Sequence, residues 1–183
     1  MLKRLSNFFY SVSTGWVTLI GLLVFFFFMI FVLPQQSQKA EAYSGGTSPD
    51  TSYIYSAGDL YQMAEAYGAE GRAAYIYARF TFDLVFPLAY LFFLTTSISW
   101  LLARGLAETS PWRLLNLFPF AGAVFDYLEN ISTSLVLGRY PSQTPVVDVL
   151  APVFTAIKWF FVNGSFVVLL IALLLSLWTR LKK

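Results

Sequence analysis

Residues 16–33 read WVTLIGLLVFFFFMIFVL, eighteen positions without a charge. A helix that crosses a bilayer needs roughly 20 mainly apolar residues, and shorter apolar runs suit buried helices of soluble proteins. This stretch therefore predicts a membrane span. Three further segments repeat the pattern, at about 76–103, 114–137 and 150–178. The predicted fold is an all-α integral membrane protein, a four-helix transmembrane bundle forming a single domain over 1–183. Pro34 is expected to end the first span. Ser110 followed by Pro111 is a cap-then-proline start for the third, and Pro152 falls in the first turn of the fourth.

Composition agrees. The chain is 57% hydrophobic and 12% charged, whereas soluble domains carry about 25% charged residues. A net charge of +2 gives no reason to expect a nucleic-acid partner. Cysteine and histidine are both absent, which excludes disulfides, thiol nucleophiles and histidine-based metal or proton-transfer chemistry. No cofactor and no metal are expected.

Positive charge sets the orientation. With both termini cytoplasmic, the inner side holds Lys3, Arg4, Arg104, Arg113, Arg180, Lys182 and Lys183, and the outer side holds Lys39, Arg72, Arg139 and, at its edge, Arg79. The outer side also carries most acids: Glu41, Asp50, Asp59, Glu65, Glu70 and Asp148. The expectation is a multi-pass protein of a cell (inner) membrane, N-in and C-in. Lys3 and Arg4, the apolar run and Ala40-Glu41-Ala42 also resemble a secretory signal, but the run exceeds the usual apolar region of about 7–15 residues. A retained anchor is the better reading.

Residues 34–75 form the first outer loop in this reading. Its first part, PQQSQKAEAYSGGTSPDTSYIYS, is polar and turn-rich and reads as irregular chain. Ser56 can cap a short amphipathic helix with Leu60, Met63, Ala64 and Tyr67 on one side, ended by Gly68, lying on the membrane surface or over the bundle mouth. Trp16, Trp112, Trp178, Tyr75 and Tyr77 suit the aromatic belts at the interfaces.

Inside the spans lie Arg79, Asp83, Asp126, Glu129 and Lys158. At 1.5 Å per residue, all five fall in the outer half of the bilayer or at its midplane. Arg79 and Asp83 stand four apart on one helix face, with Tyr90 below them. Asp126, Glu129 and Asn130 share a face of the third span, continued by Pro119, Gly122 and Thr133. Phe154, Lys158, Phe161 and Ser165 make a stripe on the fourth. Pro87 and Pro119 should free the carbonyls of Asp83 and Leu115 and kink their helices. A charge in hydrocarbon costs several kcal/mol and usually faces a partner or a cavity. The pairing expected is Arg79 with Asp83 and Lys158 with Glu129, leaving Asp126 over. Arg79, Asp83, Tyr90, Asp126, Glu129, Asn130 and Lys158 are thus the candidate polar pocket.

The plain alternative for each pair is a lock that fixes helix register. Three polar residues on one face of the third span exceed what register needs. Three functions fit. The first is binding or transport of an apolar or amphipathic, lipid-like molecule in an outer-half pocket. The second is a structural or assembly subunit meeting another membrane protein or a second copy of itself. The third is a membrane enzyme using Asp126 or Glu129 as general acid and base on a lipid-like substrate. No nucleophile motif, metal-ligand set or phosphate loop supports the third, so catalysis is the least favoured. Membrane lipids are the expected surroundings in all three.

Overall fold

The computed structural model describes residues 1–182, so Lys183, read above as an inner-face anchor, lies outside the described residues. Within them the chain is all-helical, with no strand. In chain order the helices are α1 (Leu2–Val12), α2 (Gly15–Phe27), α3 (Leu33–Ser44), α4 (Ala57–Ala66), α5 (Gly68–Arg79), α6 (Phe82–Gly105), α7 (Phe118–Arg139) and α8 (Val147–Leu181). Three helical stretches are long and apolar enough to cross a membrane: Gly15–Ser44, Gly68–Gly105 and Val147–Leu181. At 22 residues α7 is shorter than these three stretches but still long enough to reach across a bilayer. Asp126, Glu129, Asn130, Ser132, Thr133 and Ser134 make α7 more polar, and among these only Asp126 is not buried inside the protein.

The most apolar window of Gly68–Gly105 is 61% buried within the protein, against 6% for Gly15–Ser44 and 17% for Val147–Leu181. The central element is therefore α6, which packs against α2, α7 and α8, while α7 packs along α8. Gly122 lets α7 and α8 approach closely, since a Cβ there would lie 3.1 Å from Val162 Cγ2. One apolar core runs beside α6 through Tyr90, Phe93, Leu94, Ile98, Leu102, Ala123 and Ala172. A second sits where α4 meets α7 and α8 and includes Leu60, Met63, Tyr75, Val136, Leu137 and Ala151. Two ends follow from this: a cap end carrying α4, and a terminal end carrying α1 and the close of α8.

The short helix α4 follows the sequence reading. Ser56 Oγ accepts from the Asp59 amide at 3.2 Å, and Asp59 Oδ2 accepts from the Ser56 amide at 2.8 Å. This reciprocal cap fixes where the helix starts. Leu60, Met63 and Ala64 are buried against the bundle, so α4 covers its mouth.

Several expectations change. The first span does not stop at Pro34. Residues Phe28–Val32 form a widened π turn, with the Leu33 amide donating to Phe28 O, and the helix continues as α3 to Ser44. A π turn shifts the hydrogen-bond register by one residue, and Pro34 falls in the turn just after it, where its missing N–H is tolerated. Gly45, at φ 60, ends α3 in the left-handed region. Residues 34–44, expected as irregular loop, are therefore helical.

The second span is jointed rather than continuous. Between α5 and α6 the Thr81 hydroxyl donates to Tyr77 O at 2.7 Å, occupying a carbonyl near the break. Pro87 lies inside α6 as predicted, leaving the Asp83 carbonyl without its helical donor. Pro119 does not kink a helix. It sits in the first turn of α7, after a 3-10 segment at Pro111–Leu117, and the Phe118 amide satisfies Leu115 O. Pro152 lies one turn deeper than expected because α8 begins at Val147. Tyr75, expected in an interfacial belt, is fully buried. Its neighbour Tyr77 is exposed, as are Trp16, Trp112 and Trp178.

Candidate functional site: a buried ion-pair network beside a lateral groove

The break between α5 and α6 places Arg79 at the end of one helix and Asp83 in the first turn of the next. Arg79 Nη2 and Asp83 Oδ2 are 2.9 Å apart across the joint. Arg79 Nη1 pairs with Asp50, which is carried by a short 3-10 turn at Pro49–Thr51. The guanidinium also lies over the Tyr75 ring, 4.6 Å from its centre. The Tyr75 hydroxyl donates to Thr133 Oγ1 at 3.1 Å, and the Thr133 hydroxyl donates to Glu129 O at 2.8 Å. Glu129 pairs with Lys158 of α8. The Lys158 ammonium lies 5.0 Å from the centre of the Trp159 ring. Asp126 accepts from Tyr90 at 3.0 Å and from Asn130 Nδ2 at 3.3 Å.

All seven sequence-predicted residues thus fall into two sets of contacts. Arg79, Asp83, Glu129 and Lys158 are joined through Tyr75 and Thr133. Tyr90, Asp126 and Asn130 form the second set, next to the first on α7. The Arg79–Asp83 and Lys158–Glu129 pairs are those expected, and Asp126 is the carboxylate without a cation. Glu129 has no exposed surface, and Lys158, Arg79 and Asp83 are at most 9% exposed. Asp126 is partly exposed. Burying ions costs several kcal/mol each, which close pairing offsets only with good geometry and further hydrogen bonds.

Sequence reasoning missed Asp50, which it placed in an irregular outer loop. The turn at Pro49–Thr51 packs on α8 and delivers this acid to Arg79, so four carboxylates (Asp50, Asp83, Asp126, Glu129) meet two cations. The only local signal was Pro49 before an acid, which is a common start for a turn. From Gly45 to Ser56 the chain is a strap over the cap end. Tyr55 and Thr155 share a hydroxyl hydrogen bond of 2.9 Å, and Tyr67 donates to Thr47 O at 2.7 Å. Beside it, Tyr61 donates to Asp148 at 2.9 Å.

Open space lies next to the network. A groove of about 270 Å³ between α5–α6 and α7 is lined by Arg79, Phe80, Leu84, Tyr127, Asn130 and Ile131. Phe80, Leu84 and Ile131 are exposed on the flank of the helices, so the groove opens sideways. Tyr127 closes one side by donating to Leu84 O at 2.9 Å. Among the described residues no group of three or more acids converges as a metal-ligand set.

No family model, curated protein or solved structure matches this chain.

The chemistry of the site therefore stands on its own residues. Buried carboxylates and cations in contact can hold register, carry a proton or present a charged floor to a ligand. Only the Arg79 and Asn130 part of the network borders the lateral groove.

Proposed function

We propose that the chain is a four-span protein of a cell inner membrane, with α7 as a span between Gly68–Gly105 and Val147–Leu181, and both termini cytoplasmic. We propose further that it binds, for retention or transport, an amphipathic lipid-like molecule entering sideways from the bilayer. The observation that carries this reading is the groove itself. Its lining is almost wholly apolar and reaches the flank of α6 and α7, and the apolar parts of Arg79 and Asn130, two members of the buried polar network, contribute to it. A concave, mostly apolar cleft on a helix flank suits the apolar part of an amphipathic molecule. The charge distribution supports the topology, because the terminal end holds Lys3, Arg4, Arg104, Arg113, Arg180 and Lys182.

Two measurements test this. The chain has no cysteine, so single cysteines introduced at Ser52 and Ser110 report topology directly. The Ser52→Cys variant should react with an impermeant thiol reagent on intact cells, and Ser110→Cys only after permeabilisation. The reverse pattern would overturn the orientation. For binding, native mass spectrometry of the purified protein should show retained lipid that Leu84→Trp, which fills the groove, removes. Equal retention by wild type and variant would exclude the groove as the site.

A further inference from the structure

Helix α8 has two faces built on the same repeat. Thr155, Lys158, Ser165, Ala172 and Ser176 are buried where it packs into the bundle. Phe160, Asn163, Val167, Leu170, Leu174 and Leu177 are exposed. These six recur at alternating steps of three and four residues, and the same steps reach back to Ala156 and Val153. Two positions along an α-helix turn the side chain by about 200°, so the exposed stripe lies nearly opposite the packed one. An unbroken step of three and four is the pattern by which one helix packs along another in a left-handed pair.

The apolar members of the stripe need nothing beyond hydrocarbon around them. Asn163 does. It stands beside the middle of the 35-residue helix, and every other exposed residue from Val153 to Leu177 is apolar. Away from their ends, the exposed positions of α2, α6 and α7 are apolar or glycine. Polar residues inside α6, such as Thr95, Thr96, Ser97 and Ser99, are buried in the protein. Lipid chains offer an amide neither donor nor acceptor, and leaving it there is costly. A carboxamide carries one group of each kind, so Asn163 is complementary to a second Asn163.

We infer that this face is covered by a second copy of the chain, in a two-fold dimer joined by α8 on α8. All copies cross the membrane in the same sense, so the two helices run parallel. A two-fold axis along the membrane normal sets Asn163 opposite its counterpart at the same depth. Each Nδ2–H then donates to the Oδ1 of the other copy, and Phe160, Val167 and Leu170 pack on either side. A single asparagine in such a stripe fixes register and the number of strands. The inference rests on the reading of α8 as a span and is independent of the lateral groove, which no residue of α8 lines.

The test uses the full chain in vesicles of a choline phospholipid, labelled through Ser110→Cys with donor or acceptor dye. Energy transfer against the protein-to-lipid ratio reads the equilibrium between monomer and dimer. Asn163→Leu, at an exposed position, should raise the dissociation constant about tenfold, and Asn163→Gln should restore part of the loss. In separate single-cysteine variants, Leu170→Cys should oxidise to a disulfide-linked dimer, whereas Leu173→Cys, on the flank of the stripe, should not. No transfer in wild type, equal transfer in Asn163→Leu, or equal cross-linking at both cysteines overturns the dimer. Leu173→Cys should also resist a water-soluble thiol reagent. If it reacts, α8 does not lie in hydrocarbon and its reading as a span falls as well. If it is shielded and Leu170→Cys still fails to cross-link, the span stands and the dimer alone falls.

Discussion

At the terminal end the helices are joined by a neutral amide, and at the cap end by ions. Asn116 is wholly buried and ties α1 to α6. The Ser6 hydroxyl donates to its Oδ1 at 2.8 Å, and its Nδ2 donates to Ser6 O at 3.2 Å and Ser99 Oγ at 3.0 Å. Each polar atom of the Asn116 side chain is used, and no charge is buried. The cap-end network fixes α5, α6, α7 and α8 with two ion-paired cations and still leaves Arg79 Nε and Asn130 Oδ1 open. Unpartnered buried atoms occur at the terminal end too, at Ser97 Oγ, Trp100 Nε1 and Arg113 Nε, so the two ends differ in their buried ions rather than in orphaned atoms.

The comparison breaks first at Lys158. Lys158→Met leaves Glu129 as an uncompensated buried carboxylate, and stability should fall by about 3–5 kcal/mol. The double variant with Glu129→Leu should recover most of that loss. Thermal unfolding in one detergent measures both, and a double variant no better than the single would mean that the pair is not self-contained. At the terminal end, Asn116→Leu removes the hub and strands the Ser6 and Ser99 hydroxyls, at about 1–3 kcal/mol. A larger loss than at Lys158 would reverse the contrast between the two ends.

Asp126 sharpens the contrast from within the charged region. It has no cation, so Asp126→Asn should leave the unfolding midpoint unchanged or raise it. A clear drop would make Asp126 part of the lock. The smallest effect belongs to the cap helix. Hydrogen bonds from the Ser56 amide and hydroxyl hold the Asp59 carboxyl below its ordinary value of 3.8. With a depressed folded-state pKa, its contribution is complete above pH 3.8 and is lost as pH falls through the lower value. Wild type and Asp59→Asn should therefore differ in midpoint at neutral pH and converge in strong acid. A gap that persists there would assign the effect to something other than the carboxylate.

Much of the architecture was legible because apolar runs and caps are local signals. The run at 16–33, the Ser56 cap and the four-residue spacing of Arg79 and Asp83 all lie within short, contiguous stretches of sequence. What escaped is non-local or compensated. Helix α1 has only 11 residues, and its docking depends on Asn116 more than a hundred positions away. Pro34 reads as a stop unless the π turn before it is known. The joint at Phe80–Thr81 contains neither proline nor glycine to announce it. Asp50 reaches Arg79 only because the strap folds back over α8, which no spacing rule encodes. The site was legible as a set of helix faces, but its open groove was not, because an opening depends on how far helices stand apart.

The sideways opening of that groove sets the concentration scale for anything that occupies it. In the membrane placement proposed above, with α4 and the strap over the cap end, the groove would exchange with a two-dimensional solution, the bilayer around α6 and α7. Its occupancy then follows the mole fraction of ligand among the surrounding lipids rather than its molarity in water. Diluting the membranes into more buffer leaves the bound fraction unchanged for a ligand that stays in the bilayer, whereas diluting the ligand with other lipid empties the site.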